Sequence, residues 1–291
     1  MNSFQYLHPQ SIAELIKLLY KYQEKIRILA GGTDLLVMMK QGRLAPEYVV
    51  SLKDVPGLTY IREQKNGGVK IGAMMSLREV ECSESLRLRY PSLPCAAGWV
   101  GSPQIRWRAT IGGNLCNGAP SADLAPPLVC LGAQAFIQGK SKRMIPVEKF
   151  FIGPGKVALG AGEFLRELII PPLAPHTFGT YQKFSRSTMD IAVVGVAAAA
   201  TFERGGFCSD LRVCLGAVAP TPLRALEAEK LGTGKSWTNE IIQAVALKAS
   251  EEARPIDDVR GTIFLRRTLV EVLTRRVLIE CLEQARAENQ T

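Results

Sequence analysis

The chain has 291 residues, of which 47% are hydrophobic and 22% are charged, and its formal net charge at pH 7 is +9. This length predicts about two domains, and the composition is typical of a globular protein with a buried core. The longest apolar run, 191–202, is shorter than the ~20 residues that a membrane-spanning helix needs. Because the N-terminus also lacks the pattern of a signal peptide, we expect a soluble, cytoplasmic protein without a membrane partner.

The positive charge favours an anionic partner, such as a nucleotide or an acidic protein surface. The basic residues are dispersed and are not interleaved with aromatic side chains, which argues against nucleic-acid binding. The chain has seven cysteines, none in a C-x-x-C pair, and two histidines. This scarcity of paired ligands argues against a metal site or an iron–sulfur cluster on this chain, and it makes histidine-based catalysis improbable.

In chain order, the first predicted helix follows Ser11, which with Glu14 has the spacing of a capping box. A short strand over 26–30 comes next. It leads directly through the glycine-rich segment 31–34 into a predicted short helix at 35–40. The unit is therefore helix, strand, glycine-rich loop and helix.

Further strands are predicted at 48–52 and 69–73. Ser76 and Glu79 form a second capping-box pattern, which starts a helical segment running to Arg89. The stretch 98–127 is rich in Gly, Pro, Ser and Asn, and it is predicted to be a long loop of the functional kind.

A proline-rich segment, 171–175, marks a predicted domain junction. Beyond it, strands are predicted around 179–185, 191–202 and 211–218. Two helices are predicted after them, at about 238–253 and 260–287. The chain thus changes from mixed α/β to strands followed by helices.

The first candidate binding loop ends a strand and enters a helix, and it includes Gly31 and Gly32. Glycines allow positive φ and close approach to a ligand, so consecutive amide groups can form a concave phosphate site. The hydroxyl of Thr33 could add a donor. The alternative is a tight strand-to-helix turn with no ligand.

The second candidate loop repeats this chemistry about 80 residues later. It comprises Thr110, Ile111, Gly112, Gly113 and Asn114, and Asp123 follows shortly after it. A diphosphate needs several amide donors from more than one loop, so the pair predicts a large dinucleotide such as FAD. Two independent turns remain the alternative.

Three segments together resemble the FAD-binding subunits of molybdenum hydroxylases: 29–36, 110–114 and 181–191. Within that family, the chain looks most like the flavoprotein subunits of bacterial xanthine dehydrogenases. Further segments at 101–106, 153–156 and 216–224 are similar to the same subunits. The resemblance covers essentially the whole chain, in the expected order.

The resemblance implies a mixed α/β and α+β fold. Residues 1–174 would form an FAD-binding domain of the vanillyl-alcohol-oxidase-like (PCMH) type, with two α/β subdomains at about 1–55 and 56–174. Residues 175–291 would form an α+β C-terminal domain of the CO dehydrogenase flavoprotein type. FAD would lie in a cleft between these parts.

The resemblance also implies a set of cofactor contacts. The diphosphate would be wrapped by Leu29, Ala30, Gly31, Gly32, Thr33, Asp34, Leu35 and Leu36. The segment from Thr110 to Asn114 would supply the second loop. Further FAD contacts would be Val100, Asp123, Leu165 and Lys183, the last near the flavin end, with Ile191 beside the isoalloxazine ring.

Each of these residues also has an ordinary structural alternative. Asp123 could cap the segment that follows it, Lys183 could be a solvated strand residue, and Ile191 could be plain core. Val100 and Leu165 are apolar residues that the sequence alone would not single out.

The implied function is electron transfer in a multisubunit enzyme. Electrons would pass from a molybdopterin-binding large subunit, through the [2Fe-2S] clusters of a small subunit, to FAD here and then to NAD⁺. Xanthine dehydrogenase activity in purine catabolism and a dimer of heterotrimers are the specific expectations. The chemistry would belong to FAD, so no catalytic side chain is predicted on this chain.

Other functions stay open. The complex could act on nicotinate, an aldehyde or another N-heterocycle, or the chain could be a non-catalytic assembly or nucleotide-binding protein. Thr33 stands where carbon monoxide dehydrogenase relatives tend to carry His, which argues against that branch. The chain also lacks the cysteine-rich insertion of the hydroxybenzoyl-CoA reductase branch.

Overall fold

The computed structural model describes residues 2–203 and 207–288. The α-helices in these ranges are α1 (Ile12–Tyr22), α2 (Leu35–Lys40), α3 (Leu77–Cys82), α4 (Glu84–Arg89), α5 (Ser92–Gly98), α6 (Pro103–Arg108), α7 (Ile111–Cys116), α8 (Ala125–Cys130), α9 (Leu226–Gly232), α10 (Asn239–Glu252) and α11 (Ile263–Glu288). Two short 3-10 helices cover Gln23–Lys25 and Val147–Lys149.

The strands in the same ranges form four sheets. They are β1 (Gln5–Leu7), β2 (Ile26–Leu29), β3 (Tyr48–Ser51), β4 (Ile61–Glu63), β5 (Val69–Gly72), β6 (Gln134–Gln138), β7 (Lys142–Pro146), β8 (Phe151–Gly153), β9 (Lys156–Val157), β10 (Phe164–Ile170), β11 (Thr177–Phe184), β12 (Val194–Glu203), β13 (Phe207–Gly216), β14 (Leu223–Arg224) and β15 (Lys235–Ser236). Strands β8 and β9 pair only with each other.

A small parallel sheet with strand order β1-β3-β2 forms the N-terminal layer. Leu15 of α1 packs with Val50 of β3 in its core. Ser11 caps α1, because its hydroxyl accepts a hydrogen bond from the Glu14 amide at 3.1 Å. The predicted capping box is only half formed, since the Glu14 carboxylate accepts from the Gln10 amide at 2.9 Å instead of from Ser11.

An antiparallel sheet with strand order β4-β5-β10-β6-β7 forms the second layer. Helices α3, α5 and α6 pack together, and α7 contacts β10. The second capping box is complete. The predicted helical segment 77–89 is divided at Ser83, whose extended backbone (φ −67°, ψ 113°) ends α3. The Ser83 hydroxyl then accepts from the Leu86 amide and caps α4.

The prediction of a long loop over 98–127 is wrong in part. This stretch contains α6, α7 and the start of α8. Its polar and proline residues begin helices, because Ser102 and Thr110 are N-caps and Pro103 occupies the first helical position. Proline is tolerated there because the first-turn amide has no intrahelical partner.

The third sheet has strand order β11-β12-β13-β14, with β15 beside β13. Side chains alternate across β12: Ala197 lies in the core shared with the second layer, whereas Ala198 lies in the core under α10 and α11. Both faces of the sheet are therefore covered, by α5 and α8 on one side and α11 on the other. This double burial explains the run of small apolar residues. Within the described ranges, no helix is long and apolar enough to cross a membrane.

Candidate cofactor-binding site

The two glycine-containing segments predicted from the sequence lie side by side. Gly31 rests against the end of α6, so a Cβ atom built on it would lie 2.7 Å from the carbonyl carbon of Arg108 and 2.9 Å from Cα of Ala109. The side-chain amide of Asn117, through Nδ2, donates a hydrogen bond to the Asp34 carboxylate at 3.2 Å. Only glycine at position 31 allows this close approach of two backbones.

The first segment presents unpaired backbone donors. Within the described part of the chain, the amide groups of residues 31–35 have no hydrogen-bond partner. Gly32 has a φ of +79°, a conformation that favours glycine and that turns the chain from β2 into α2. The Leu36 amide already donates to the Gly32 carbonyl at 3.1 Å. Consecutive free amides of this kind can hold an anion such as a diphosphate.

Thr33 and Asp34 complete this segment. The Thr33 hydroxyl lies 3.5 Å from the Asp34 carboxylate. Burial raises the pKa of the Asp34 carboxyl, while the Thr33 hydroxyl acts in the opposite direction. Asp34 is the residue before α2, but its side chain makes no capping bond, which leaves the first-turn amides of that helix open.

The second segment is the first turn of a helix, not a loop with free amides. The Ile111, Gly112 and Asn114 amides donate to the carbonyls of Met75, Ala73 and Thr110 at 3.0, 2.9 and 2.9 Å. The Gly113 amide donates to the Thr110 hydroxyl at 3.0 Å. The prediction that this segment adds amide donors is therefore wrong, because the backbone pairs with the chain before it.

Asn114 supplies a different kind of group. Its side-chain oxygen, Oδ1, is buried and has no hydrogen-bond partner among the described residues. A buried acceptor left without a donor is costly, so such an atom indicates a site that a ligand donor completes. A Cβ at Gly113 would lie 3.9 Å from the Ala30 Cβ, in the space between the two segments. The residues present therefore fit a nucleotide cofactor with an anionic diphosphate and hydroxyl or amino donors.

Asp123 and Lys183 form a buried ion pair. The Lys183 ammonium lies 3.1 Å from the Asp123 carboxylate, and the Lys183 side chain is 1% exposed. The Tyr181 hydroxyl donates to the other Asp123 oxygen at 2.7 Å. Burial raises the pKa of the Asp123 carboxyl, although Lys183 opposes this effect. Both ordinary alternatives are wrong, because Lys183 is not solvated and Asp123 makes no capping bond.

The remaining predicted contacts differ in exposure. Val100 is half-buried, in the turn between α5 and α6. Leu165 is 3% exposed and belongs to the core behind β10. Ile191 is 42% exposed, so the alternative that it is plain core is wrong.

The sequence reasoning did not single out Arg106 or Tyr181. Arg106 is buried and pairs with Glu81, with Nε to Oε2 at 2.8 Å. The only available signal was that each residue lies in a segment resembling the family, 101–106 and 181–191. Their partners are distant in the chain, so no local pattern reveals them.

The chain matches two protein-family models in succession. Residues 2–173 match the FAD binding domain in molybdopterin dehydrogenase. Residues 179–281 match the CO dehydrogenase flavoprotein C-terminal domain. These matches define the class of protein, an FAD-binding chain of an oxidoreductase.

Named relatives agree with this class along nearly the full chain. The carbon monoxide dehydrogenase medium chain of Hydrogenophaga pseudoflava is 33% identical over 94% of this chain and 96% of its own length. The xanthine dehydrogenase FAD-binding subunit of Escherichia coli O157:H7 is 30% identical over 96% of both chains. The carbon monoxide dehydrogenase structure from H. pseudoflava that lacks the Mo-pyranopterin moiety matches with a TM-score of 0.93 and 33% identity, over 98% of each chain.

The chain belongs to the FAD-binding subunits of the molybdenum hydroxylase family. The predicted family and fold class are thereby confirmed. The 33% and 30% identities do not separate the carbon monoxide branch from the xanthine branch. The expectation drawn from Thr33, that the chain lies outside the carbon monoxide branch, stays a prediction.

Proposed function

We propose that this chain carries FAD in a xanthine dehydrogenase and passes electrons to NAD⁺. Its partners are a large molybdopterin-binding subunit and a small subunit with [2Fe-2S] clusters, assembled as a dimer of heterotrimers. The relatives named as a medium chain and as an FAD-binding subunit support a multisubunit assembly. The sequence resemblance to bacterial xanthine dehydrogenase subunits supports the choice of substrate.

One observation carries the cofactor assignment. The amides of residues 31–35 are unpaired, and Gly31 packs against Arg108 and Ala109. These two residues come directly before α7, whose first turn contains the unpartnered Asn114 oxygen. The amides would bind the diphosphate, because a row of N–H dipoles stabilises a nearby anion. Asn114 Oδ1 would accept from a hydroxyl or amino group of the same cofactor.

The division of the chain supports a cofactor held between two regions. Residues 1–174 carry the amide row and Val100, and residues 175–291 carry Lys183 and the exposed Ile191. Val100 and Ile191 would contact the isoalloxazine, since both retain accessible apolar surface. Asp123, Leu165 and Lys183 are enclosed by protein, so they would support the site from behind.

When bound by residues 31–35 and Asn114, FAD would supply the redox chemistry that links the [2Fe-2S] clusters to NAD⁺. The protein's part is to bind the cofactor, orient it and exclude water from one of its faces. NAD⁺ would stack at the exposed flavin face near Ile191, whose side chain is accessible. The sequence offers no separate glycine fingerprint for a second dinucleotide, since Leu165 occupies the third glycine position after Gly160 and Gly162.

The cofactor assignment is tested by the visible absorption spectrum of the purified chain, with the released cofactor identified by mass. We expect nearly one FAD per chain and no iron. A colourless chain that cannot be reconstituted with FAD would contradict the assignment and favour a non-catalytic assembly protein.

The substrate is tested separately on the purified complex. Hypoxanthine, xanthine and nicotinate are supplied with either NAD⁺ or oxygen, and reduction of each acceptor is followed. Turnover of xanthine with NAD⁺ is the expected result. Turnover of nicotinate alone would move the complex to another branch of the family without changing the role of FAD on this chain.

A further inference from the structure

The connection between α10 and α11 exposes a group of large apolar side chains. This group, called here the α10–α11 patch, comprises Ile256, Val259, Ile263 and Phe264. Val259 is 89% exposed and Phe264 is 81% exposed. Single exposed apolar residues are ordinary on a protein surface, but several together mark a site of interaction. The patch therefore indicates a surface that a partner covers.

The turn that carries the patch is fixed by hydrogen bonds. The Asp258 carboxylate accepts from the Arg260 amide at 2.8 Å and pairs with the buried Arg266, with Nη2 to Oδ1 at 2.8 Å. The Asp257 carboxylate accepts from the Ile263 amide at 2.6 Å, which joins the turn to the first residue of α11. A surface that is already ordered loses little conformational freedom when a partner binds, so this turn is suited to docking.

An open cavity of about 580 Å³ lies beside the patch. Ile263 and Phe264 line it together with Arg267. An apolar side chain of a partner would fill this space against Phe264. Anchors of this kind, buried in a pocket at the centre of an interface, carry most of its binding energy.

The charges at the rim of the cavity favour an acidic partner. Asp257 and Asp258 are already hydrogen-bonded within the turn. Among the described residues, no carboxylate pairs with the exposed Arg254 or Arg267, and Arg267 donates only to the Ala253 carbonyl, at 3.4 Å. A second copy of this chain would bring the same unpaired arginines and a net charge of +9. Charge complementarity therefore favours a different protein with carboxylates at its rim.

The patch is joined to the segment that contains Ile191. Arg186 Nη1 donates to the Val259 carbonyl at 3.3 Å, and Arg186 Nε pairs with the Asp190 carboxylate at 3.1 Å. The Ile191 amide donates to the same carboxylate at 2.9 Å. A continuous series of contacts thus links Val259 to Ile191, the residue proposed to lie beside the isoalloxazine.

We propose that the α10–α11 patch is the docking surface for the small subunit that carries the [2Fe-2S] clusters. The clusters must lie close to the flavin, because electron transfer slows steeply with separation, and the patch is joined to the flavin end of the site. Subunits that stay assembled use apolar interfaces of this kind. The small subunit would insert an apolar side chain into the cavity and place carboxylates opposite Arg254 and Arg267. This proposal rests on the proposed function, since it takes a cluster-bearing subunit to be the electron donor.

The test measures binding of the FAD-loaded full chain to the purified small subunit and, separately, to the purified large subunit. The variants are Val259→Ser, Phe264→Ser, both together, and Arg267→Glu. Leu88→Ser is the matched apolar control, because Leu88 is exposed on α4 outside the patch. Lys235→Glu is the control for charge reversal. Lys235 is exposed and lies before α10, whose 14 residues separate it from the patch by about 20 Å along the helix.

We expect the double variant to weaken binding of the small subunit by about thirtyfold, the scale of a lost interface anchor. Arg267→Glu should slow association and reduce its dependence on salt, as is typical of a charge at an interface rim. Binding of the large subunit and both controls should be unchanged. FAD content and melting temperature should match the wild type in every variant, because each substituted side chain is exposed.

Three results would overturn the docking role. The first is wild-type affinity for the small subunit in the double variant. The second is weakened binding of the large subunit alone, which would assign the patch to that partner. The third is self-association of the wild-type chain that the double variant abolishes, which would assign the patch to a second copy. Failure of the proposed function is distinct from these results, because the wild-type chain would then hold no FAD.

Discussion

Replacing Gly31 by alanine tests the contact that joins the two segments of the site. The added Cβ would lie 2.7 Å from the Arg108 carbonyl carbon and nearer still to its oxygen. Carbon atoms in favourable contact are about 3.5–4.0 Å apart, so the two backbones must separate by about 0.8 Å or more. Overpacking of this kind costs about 1–3 kcal/mol, and here no flexible side chain can move aside.

The Gly31→Ala variant is measured by thermal unfolding and by FAD titration of the same preparation. We expect a lower melting temperature and FAD binding weakened by about tenfold or more, because the amide row moves with Gly31. Gly153→Ala is the matched control, since the same methyl group there meets nothing within 4 Å. Unchanged stability and unchanged FAD affinity in Gly31→Ala would refute the reasoning that this close approach builds the site.

Three further predictions address other parts of the molecule. Gly113→Asp should abolish FAD retention, because its carboxylate would enter the space beside Ala30 where the diphosphate is expected, and flavin content after gel filtration checks this. The added Cβ would lie 2.9 Å from the Thr110 hydroxyl that caps α7, so the Thr110 side chain must shift; the fold should stay largely intact, which thermal unfolding checks. The bonds from Arg143 and the Gly160 amide lower the pKa of Glu163, so this carboxylate stabilises the fold above its ordinary pKa of 4.5 and the contribution is lost as pH falls through the lowered folded value. Glu163→Gln should therefore destabilise by about 1–2 kcal/mol at pH 7 and progressively less in acid, which urea unfolding at several pH values measures. A thiol reagent should modify the exposed Cys82 and Cys95 in the native chain. It should reach the buried cysteines only after unfolding, because burial shields their thiols and raises their pKa: Cys130, Cys208, Cys214 and Cys281.

The local signals in the sequence located the first half of the site well. The predicted helix at 35–40 matches α2, and the predicted strand 26–30 differs from β2 by one residue. These elements are set by short-range features, namely an apolar strand, a glycine pair that permits positive φ, and a helix-forming run. Such features act over a few residues and are therefore legible in the sequence.

The second half of the site depends on contacts between distant residues. The Gly112–Gly113 pair indicated a loop, yet it begins α7 because the amides of 111 and 112 pair with Met75 and Ala73. Likewise, Asp123 meets Tyr181 and Lys183 across 58 and 60 residues. A single sequence carries no local trace of these pairings, so neither the start of α7 nor the buried Asp123–Lys183 ion pair could have been predicted from it.

The two glycine pairs show how one sequence pattern serves two physical purposes. At Gly31 and Gly32, the missing side chains let the loop lie against Arg108 and turn sharply, while its amides stay unpaired. At Gly112, the missing side chain lets α7 begin against Ala73, and the neighbouring amides donate hydrogen bonds within the protein. The first pair therefore leaves amide donors free for a ligand, and the second allows the close packing of α7 against the chain beside the site. The amide row binds an anion through its charge distribution, which salt screens, so added salt should weaken diphosphate binding by the first segment. The second pair acts through the space that its missing side chains leave, so the loss of binding caused by a substitution there should not change with salt.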